Sequence, residues 1–161
     1  MLGQGSFTLY VPSLPNLSHS FHCSTTQIKF TLTIFLLVYG ISQVFYGSIS
    51  DVIGRKKPLL FGIALMLIGS IWTIFTKDLL TFNLSRIVQG FGTGATMVLI
   101  RAAMLDCLSN QDQPKGTAYL SIGFAIGLGI FPVIGGFLTN SFNWQANFIF
   151  LAIVNMIFLV C

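Results

Sequence analysis

Glutamate is missing from this 161-residue sequence, and charge of either sign is scarce: Asp, Lys and Arg together supply only 7% of the residues. A soluble domain carries about 25% charged residues, so this chain cannot solvate a water-facing surface of ordinary size. Cysteine is equally sparse. Cys23, Cys107 and Cys161 are scattered, with no CxxC or Cys/His spacing, which excludes a disulfide framework or a thiolate metal site. His19 and His22 stand at i and i+3 in a polar connector, where an exposed loop and a metal pair are both open readings. No Ser/His/Asp array, HExxH or phosphate-cradling glycine loop is present, so neither an enzyme nor a catalytic residue is expected, and no cofactor or metal. The formal charge is +4, yet no basic stripe is interleaved with aromatics, so nucleic acid is not an expected partner. The N-terminus lacks a basic n-region and a small-residue cleavage site, so it does not read as a signal peptide.

What is present is apolar: 54% of residues are hydrophobic and the mean hydropathy is +0.84. Long apolar runs read as membrane-spanning helices. Six can be drawn, at about 2–17, 28–49, 58–76, 79–104, 117–138 and 144–161. The fold class is therefore an all-α polytopic membrane bundle with the lipid bilayer as its solvent. The first segment is short and interrupted by Pro12 and Pro15, and the last has no polar flank, so both ends are expected to be cut. The Lys/Arg bias puts connectors 50–57 and 105–116 on the cytoplasmic side with Arg55, Lys56, Lys57 and Lys115, and Arg101 close by. Lys29 and Lys77 fall opposite, the N-terminus is cytoplasmic, and Trp144 lies at an outer boundary where aromatic belts form. Cys23 and Cys107 then lie on opposite sides and are not expected to pair.

Charge inside this frame is informative. Arg86, in "LSRIVQGFGTGA", lies about 10 Å into the fourth segment. It either snorkels to the headgroups or faces a polar pathway inside the protein. Gln89 shares its face. Gly90 and Gly94, and Gly123 and Gly127, are small-xxx-small pairs that allow close helix approach. Pro132, Gly135 and Gly136 follow in "GIFPVIGG". Between the second and third segments, "GSISDVIGRKKP" places Asp51 four residues before Arg55, the favoured order if the helix runs on, and puts Pro58 near the first position of the next helix.

In order and spacing these stretches resemble the major facilitator superfamily. Gly47, Asp51, Gly54, Arg55 and Lys56 match its motif between helices 2 and 3; Arg86, Gln89 and Gly90 match its fourth-helix motif. Gly127, Pro132, Gly135 and Gly136 match its fifth-helix antiporter motif in part, since Phe131 and Ala118 stand where glycines are usual. "YVPSLP" and "IRAAMLDCL" look like the Bcr/CflA (bicyclomycin/chloramphenicol resistance) drug:proton antiporters. The resemblance implies the N-terminal six-helix half of a twelve-helix fold, with helix 1 shortened and the C-terminal half absent, in the inner (plasma) membrane. It implies multidrug efflux by alternating access, with a small amphiphilic drug-like substrate, protons and a second six-helix half as partners. It also implies a gating contact between Arg55 and Asp106, with Asp51 holding a helix of the second half. The subfamily's helix-1 acid falls at Thr8, and all four aspartates map to helix ends or connectors, so a membrane-inserting fragment that carries nothing is the alternative.

Overall fold

A computed structural model describes residues 2–160; Met1 and Cys161 lie outside the described residues. Every regular element among the described residues is helical. The chain opens with a short helix α1 (Leu2–Thr8), a 3-10 turn (Val11–Ser13) and a short helix α2 (Leu14–Ser20). Five longer helices follow: α3 (Thr25–Ile53), α4 (Lys56–Ile74), α5 (Leu79–Cys107), α6 (Gln113–Ser141) and α7 (Gln145–Val160). Four of them, α3 to α6, are long and apolar enough to cross a membrane, and α7 is a shorter apolar helix.

The helices run past the boundaries expected from hydropathy. α3, α5 and α6 have 29 residues each, about 44 Å of helix against a hydrocarbon layer of about 30 Å. Their polar ends project into the headgroups without unwinding, because an α-helix satisfies its own backbone wherever it lies. Connectors shrink accordingly, to 54–55 between α3 and α4 and 108–112 between α5 and α6. Capping fixes two of the starts. Ser24 and Gln27 form a capping box at α3, the Gln27 amide donating to Ser24 Oγ (3.3 Å) and the Ser24 amide to Gln27 Oε1 (2.9 Å). Asp78 caps α5, its carboxylate accepting from the Thr81 amide at 2.9 Å. Pro58 is the third residue of α4 rather than the first; it still sits in the first turn, where its missing N–H costs no helical bond.

The expected first span is instead a broken segment. Pro12 and Pro15 each lie in the opening turn of an element, the positions proline tolerates, and the chain restarts at each. Its apolar side chains build the main core: Leu9, Tyr10 and Leu17 pack with Ile28, Phe82, Trp144, Phe148 and Leu151. Trp144 is therefore not an exposed belt residue. It is 6% exposed and clustered with the rings of Phe21, Phe82 and Phe148, because the first segment covers it. A smaller core of Tyr46, Ala95 and Leu99 lies towards the other end.

The tightest packing joins α5 to α4 and α3, and glycines make it possible. A Cβ on Gly69 would stand 2.8 Å from the Gln89 backbone N, and one on Gly90 would stand 2.9 Å from the Phe35 carbonyl O. Hydroxyls cross the same seam, Thr73 to Ser85 at 2.8 Å and Gln89 to Ser70 at 2.9 Å. Outward, α3 to α6 present large apolar side chains such as Leu37, Val44, Phe61 and Val133, as a surface that meets lipid or another apolar helix requires.

Candidate functional site

Two constellations gather most of the residues singled out in the sequence. The first lies at the 54–55 end of the bundle. Arg55 donates from Nη1 to Asp51 Oδ1 (2.6 Å) and to Ser50 Oγ (2.5 Å), and from Nε to Asp106 Oδ2 (2.9 Å). One guanidinium thus ties the end of α3 to the last turn of α5. Asp51 and Arg55 do not share one helix, because α3 stops at Ile53. Gly54, at φ 85, takes a backbone conformation that favours glycine and folds Arg55 back over the end of α3. The two carboxylates hold the Arg55 guanidinium above its ordinary range, Asp106 first and Asp51 second, so it stays charged at any working pH.

The members of this cluster differ in how far they are used. Asp51 remains 66% exposed despite its ion pair. Gly47 faces outward, with nothing within 4 Å of where a Cβ would stand. Lys56 is exposed at the start of α4.

The second constellation surrounds Arg86. Its side chain is 0% exposed, which rules out snorkelling to the headgroups. One terminal nitrogen donates to Gln89 Oε1 and the other to the carbonyl oxygen of Ser6 at 3.0 Å. Gln89 passes the contact on, donating from Nε2 to Ser70 Oγ. The guanidinium carbon lies 4.2 Å from the Tyr10 ring centroid, 4.3 Å from that of Phe35 and 5.6 Å from that of Phe148. An arginine near the bilayer centre costs about 2.5–3.5 kcal/mol on insertion scales. A desolvated cation–π contact returns up to about 2 kcal/mol, so the two nearer rings and the hydrogen bonds offset that cost without a carboxylate. Arg86 forms no ion pair among the described residues, and its Nε has no partner.

The glycines of α6 serve a different contact. A Cβ on Gly135 would collide with the Leu9 carbonyl, and one on Gly136 would stand 3.8 Å from Pro12 Cβ. Gly127 is buried and Pro132 lies inside an unbroken helix. Gly135 and Gly136 therefore seat the first segment rather than joining either charged cluster.

Sequence reasoning did not find the ring cage of Tyr10, Phe35 and Phe148, whose members are far apart in the chain. It also missed a buried polar clamp. Ser13 Oγ lies 2.5 Å from Thr139 Oγ1, and Asn147 Nδ2 donates to both, at 2.7 and 2.9 Å. The available signal was an asparagine and a threonine inside strongly apolar segments, positions that usually demand a partner. No group of three or more His, Cys, Asp or Glu able to hold a metal is found among the described residues. His19 and His22 are exposed.

Comparison with known proteins identifies the family. The chain is 28% identical over 153 residues to multidrug resistance protein D of Escherichia coli (strain K12), covering 95% of this chain and 39% of that protein. It is 27% identical over 157 residues to a bicyclomycin resistance protein homolog of Haemophilus influenzae, covering 98% and 39%. It is 29% identical over 159 residues to the MFS-type transporter YdgK of Bacillus subtilis (strain 168), covering 98% and 40%. The chain thus spans about two fifths of the length of these relatives. The family model of the Major Facilitator Superfamily matches residues 1–161, and this multi-pass membrane chain belongs to that superfamily.

Proposed function

We propose that the chain is the first six-helix half of a secondary active transporter that exports small amphiphilic, drug-like molecules in exchange for protons by alternating access. The observation that carries this reading is the asymmetry of the Arg55 cluster. Asp106 is engaged within the chain, while exposed Asp51 and open Gly47 present the remainder of a latch outward. A second six-helix half supplies the matching helix and the other wall of a central site near the midplane. The similarity to proteins named for multidrug and bicyclomycin resistance supports the substrate class. The Lys/Arg bias supports an inner (plasma) membrane location with the N-terminus, the 54–55 turn and the 108–112 connector in the cytoplasm.

Arg86, Gln89 and Gly90 belong to the pathway in this reading. Arg86 acts on a carboxylate outside this chain, because Asp51, Asp78, Asp106 and Asp112 all stand at helix ends or in connectors and Thr8 occupies the first segment. That same lack of a membrane-buried carboxylate favours a second reading, in which the chain inserts and carries nothing.

Accumulation of a fluorescent drug in efflux-deficient cells separates the two. Expressed with a second six-helix half, the chain should lower accumulation. Accumulation equal to the empty vector, with both halves confirmed in the membrane, would select the non-transporting reading. In the active pair Arg86→Ala should abolish efflux and leave insertion intact; wild-type resistance would remove Arg86 from the pathway.

A further inference from the structure

α3 and α4 are joined by the short 54–55 turn but touch each other little, since both pack on α5 instead. Between them, at the turn end, lies a cleft of about 410 Å³. Phe45, Ile49 and Ile53, on successive turns of α3, form one wall; Lys57 and Phe61 of α4 form the other, and Phe91 of α5 closes it from behind. Phe45, Ile49, Ile53 and Phe61 are each roughly half exposed. Tyr46 also lines the cleft, but its hydroxyl is buried and its ring rests against Phe91 at a centroid distance of 5.3 Å, so it offers ring rather than polar surface.

The one charge in this lining is Lys57. Its ammonium carries three donors, yet has no hydrogen bond or ion pair among the described residues. No aspartate is free to answer it. Asp51 and Asp106 are held by Arg55, Asp112 by Lys115, and Asp78 caps α5 at the far end of the bundle.

Depth orders these groups. Lys57 is the second residue of α4, whose 19 residues span about 28 Å, close to the hydrocarbon thickness of about 30 Å. Its ammonium therefore stands at the lipid headgroups. Phe61 lies one turn deeper, and Phe91 stands near the middle of the 29-residue α5. The cleft thus runs from a lone cation at the boundary to aromatic rings well inside the bilayer. No glycine lines it. Membrane helices approach closely through small residues, so these bulky walls fit a flexible chain better than a helix. Arg55, the residue before α4, is tied to Ser50, Asp51 and Asp106, which fixes the mouth of the cleft.

We propose that this cleft holds one anionic phospholipid, with its phosphate on Lys57 and one acyl chain along Ile49, Phe61 and Phe91. The site does not rest on the transport reading, because a bilayer supplies the ligand whether or not the chain carries a substrate.

The test uses the full chain in phosphatidylcholine nanodiscs containing a small share of phosphatidylglycerol or phosphatidylcholine with a diazirine on one acyl chain. Light fixes the lipid, and mass spectrometry maps the labelled residues. Phosphatidylglycerol should label α3 and α4 around Ile49 and Phe61 well above phosphatidylcholine, and unlabelled phosphatidylglycerol should compete. Lys57→Gln should lower that labelling roughly fivefold, the loss expected for one basic residue at an anionic surface, and Lys57→Arg should keep it. Lys56→Gln removes a neighbouring charge outside the lining and should change it little. Ile49→Trp fills the cleft with charge unchanged and should also lower it, while unchanged labelling of α6 near Val133 shows that each variant keeps its fold. Equal labelling by the two lipids, Lys57→Gln equal to wild type, or equal losses in Lys56→Gln and Lys57→Gln overturns the proposal. So does loss of the label when a second six-helix half is added, which assigns the cleft to a helix and leaves the transporter reading standing.

Discussion

Single residues here are decided by what stands a few ångströms away. Gly135 and Gly129 lie on the same helix, yet a Cβ on Gly135 meets the Leu9 carbonyl while one on Gly129 meets nothing within 4 Å. Gly135→Ala should therefore cost about 1–3 kcal/mol through overpacking against backbone, and Gly129→Ala should be neutral or slightly stabilising. Denaturant unfolding of the two variants in detergent checks this, and equal stabilities would contradict it. Asp78 offers a pH test. The Thr81 amide and hydroxyl hold its carboxyl below the usual carboxylate range. A depressed carboxyl pKa stabilises the folded state above the unfolded value, and that stabilisation fades as pH falls through the folded value. Hydrogen-exchange protection at Thr81 should persist from neutral pH into mildly acidic buffer and drop only below the ordinary Asp range. Asp78→Ala should lose that protection at every pH.

At the scale of elements, polar contacts between helices act as staples in an otherwise apolar bundle. Asn147 on α7 reaches both Ser13 and Thr139 and so links three separate parts of the chain. Asn147→Leu should destabilise the bundle by about 0.6–1.7 kcal/mol, the range for interhelical hydrogen bonds in membranes. A double-mutant cycle with Thr139→Val should show coupling between the two sites, and strict additivity would mean that the clamp carries no energy. The long helices were legible in the sequence because apolar runs and short polar connectors are local signals. Their ends were not, since nothing in "DVIGRKKP" or "IRAAMLDCL" says whether a projecting helix keeps its hydrogen bonds beyond the lipid. The clamp was hidden because Ser13 and Asn147 meet across 134 residues. The Arg55–Asp106 contact spans 51 residues and was legible only through the resemblance that the surrounding motif carries. Arg86 was recognisable as a charge out of place, but the aromatic faces that hold it were not, because cation–π partners leave no spacing rule.

For the whole molecule, one side of the bundle is finished and another is open. α3 shows Gly40, Val44 and Gly47 along one face, and neither glycine has a neighbour within 4 Å of a Cβ position; α6 shows Gly129 and Val133, with Val44 and Val133 each 72% exposed. Small residues let helices approach closely in membranes, and these faces fit the second half that the proposed transporter requires. Cysteines at Gly47 and Gly129 should cross-link to an added second half and change reactivity with substrate, whereas a cysteine at Phe61 should not cross-link. Uniform labelling of all three would argue against a docking face.

The clamp between Ser13 and Asn147 also has a consequence in time. Synthesis at roughly 5–20 residues per second separates the emergence of these two side chains by about 7–27 s. Until α7 has been made, the ring of Tyr10 lacks Phe148 and the hydroxyl of Ser13 lacks Asn147. Slow codons placed just before Trp144 lengthen that interval and should lower the yield of intact protein relative to fast synonymous codons at the same place.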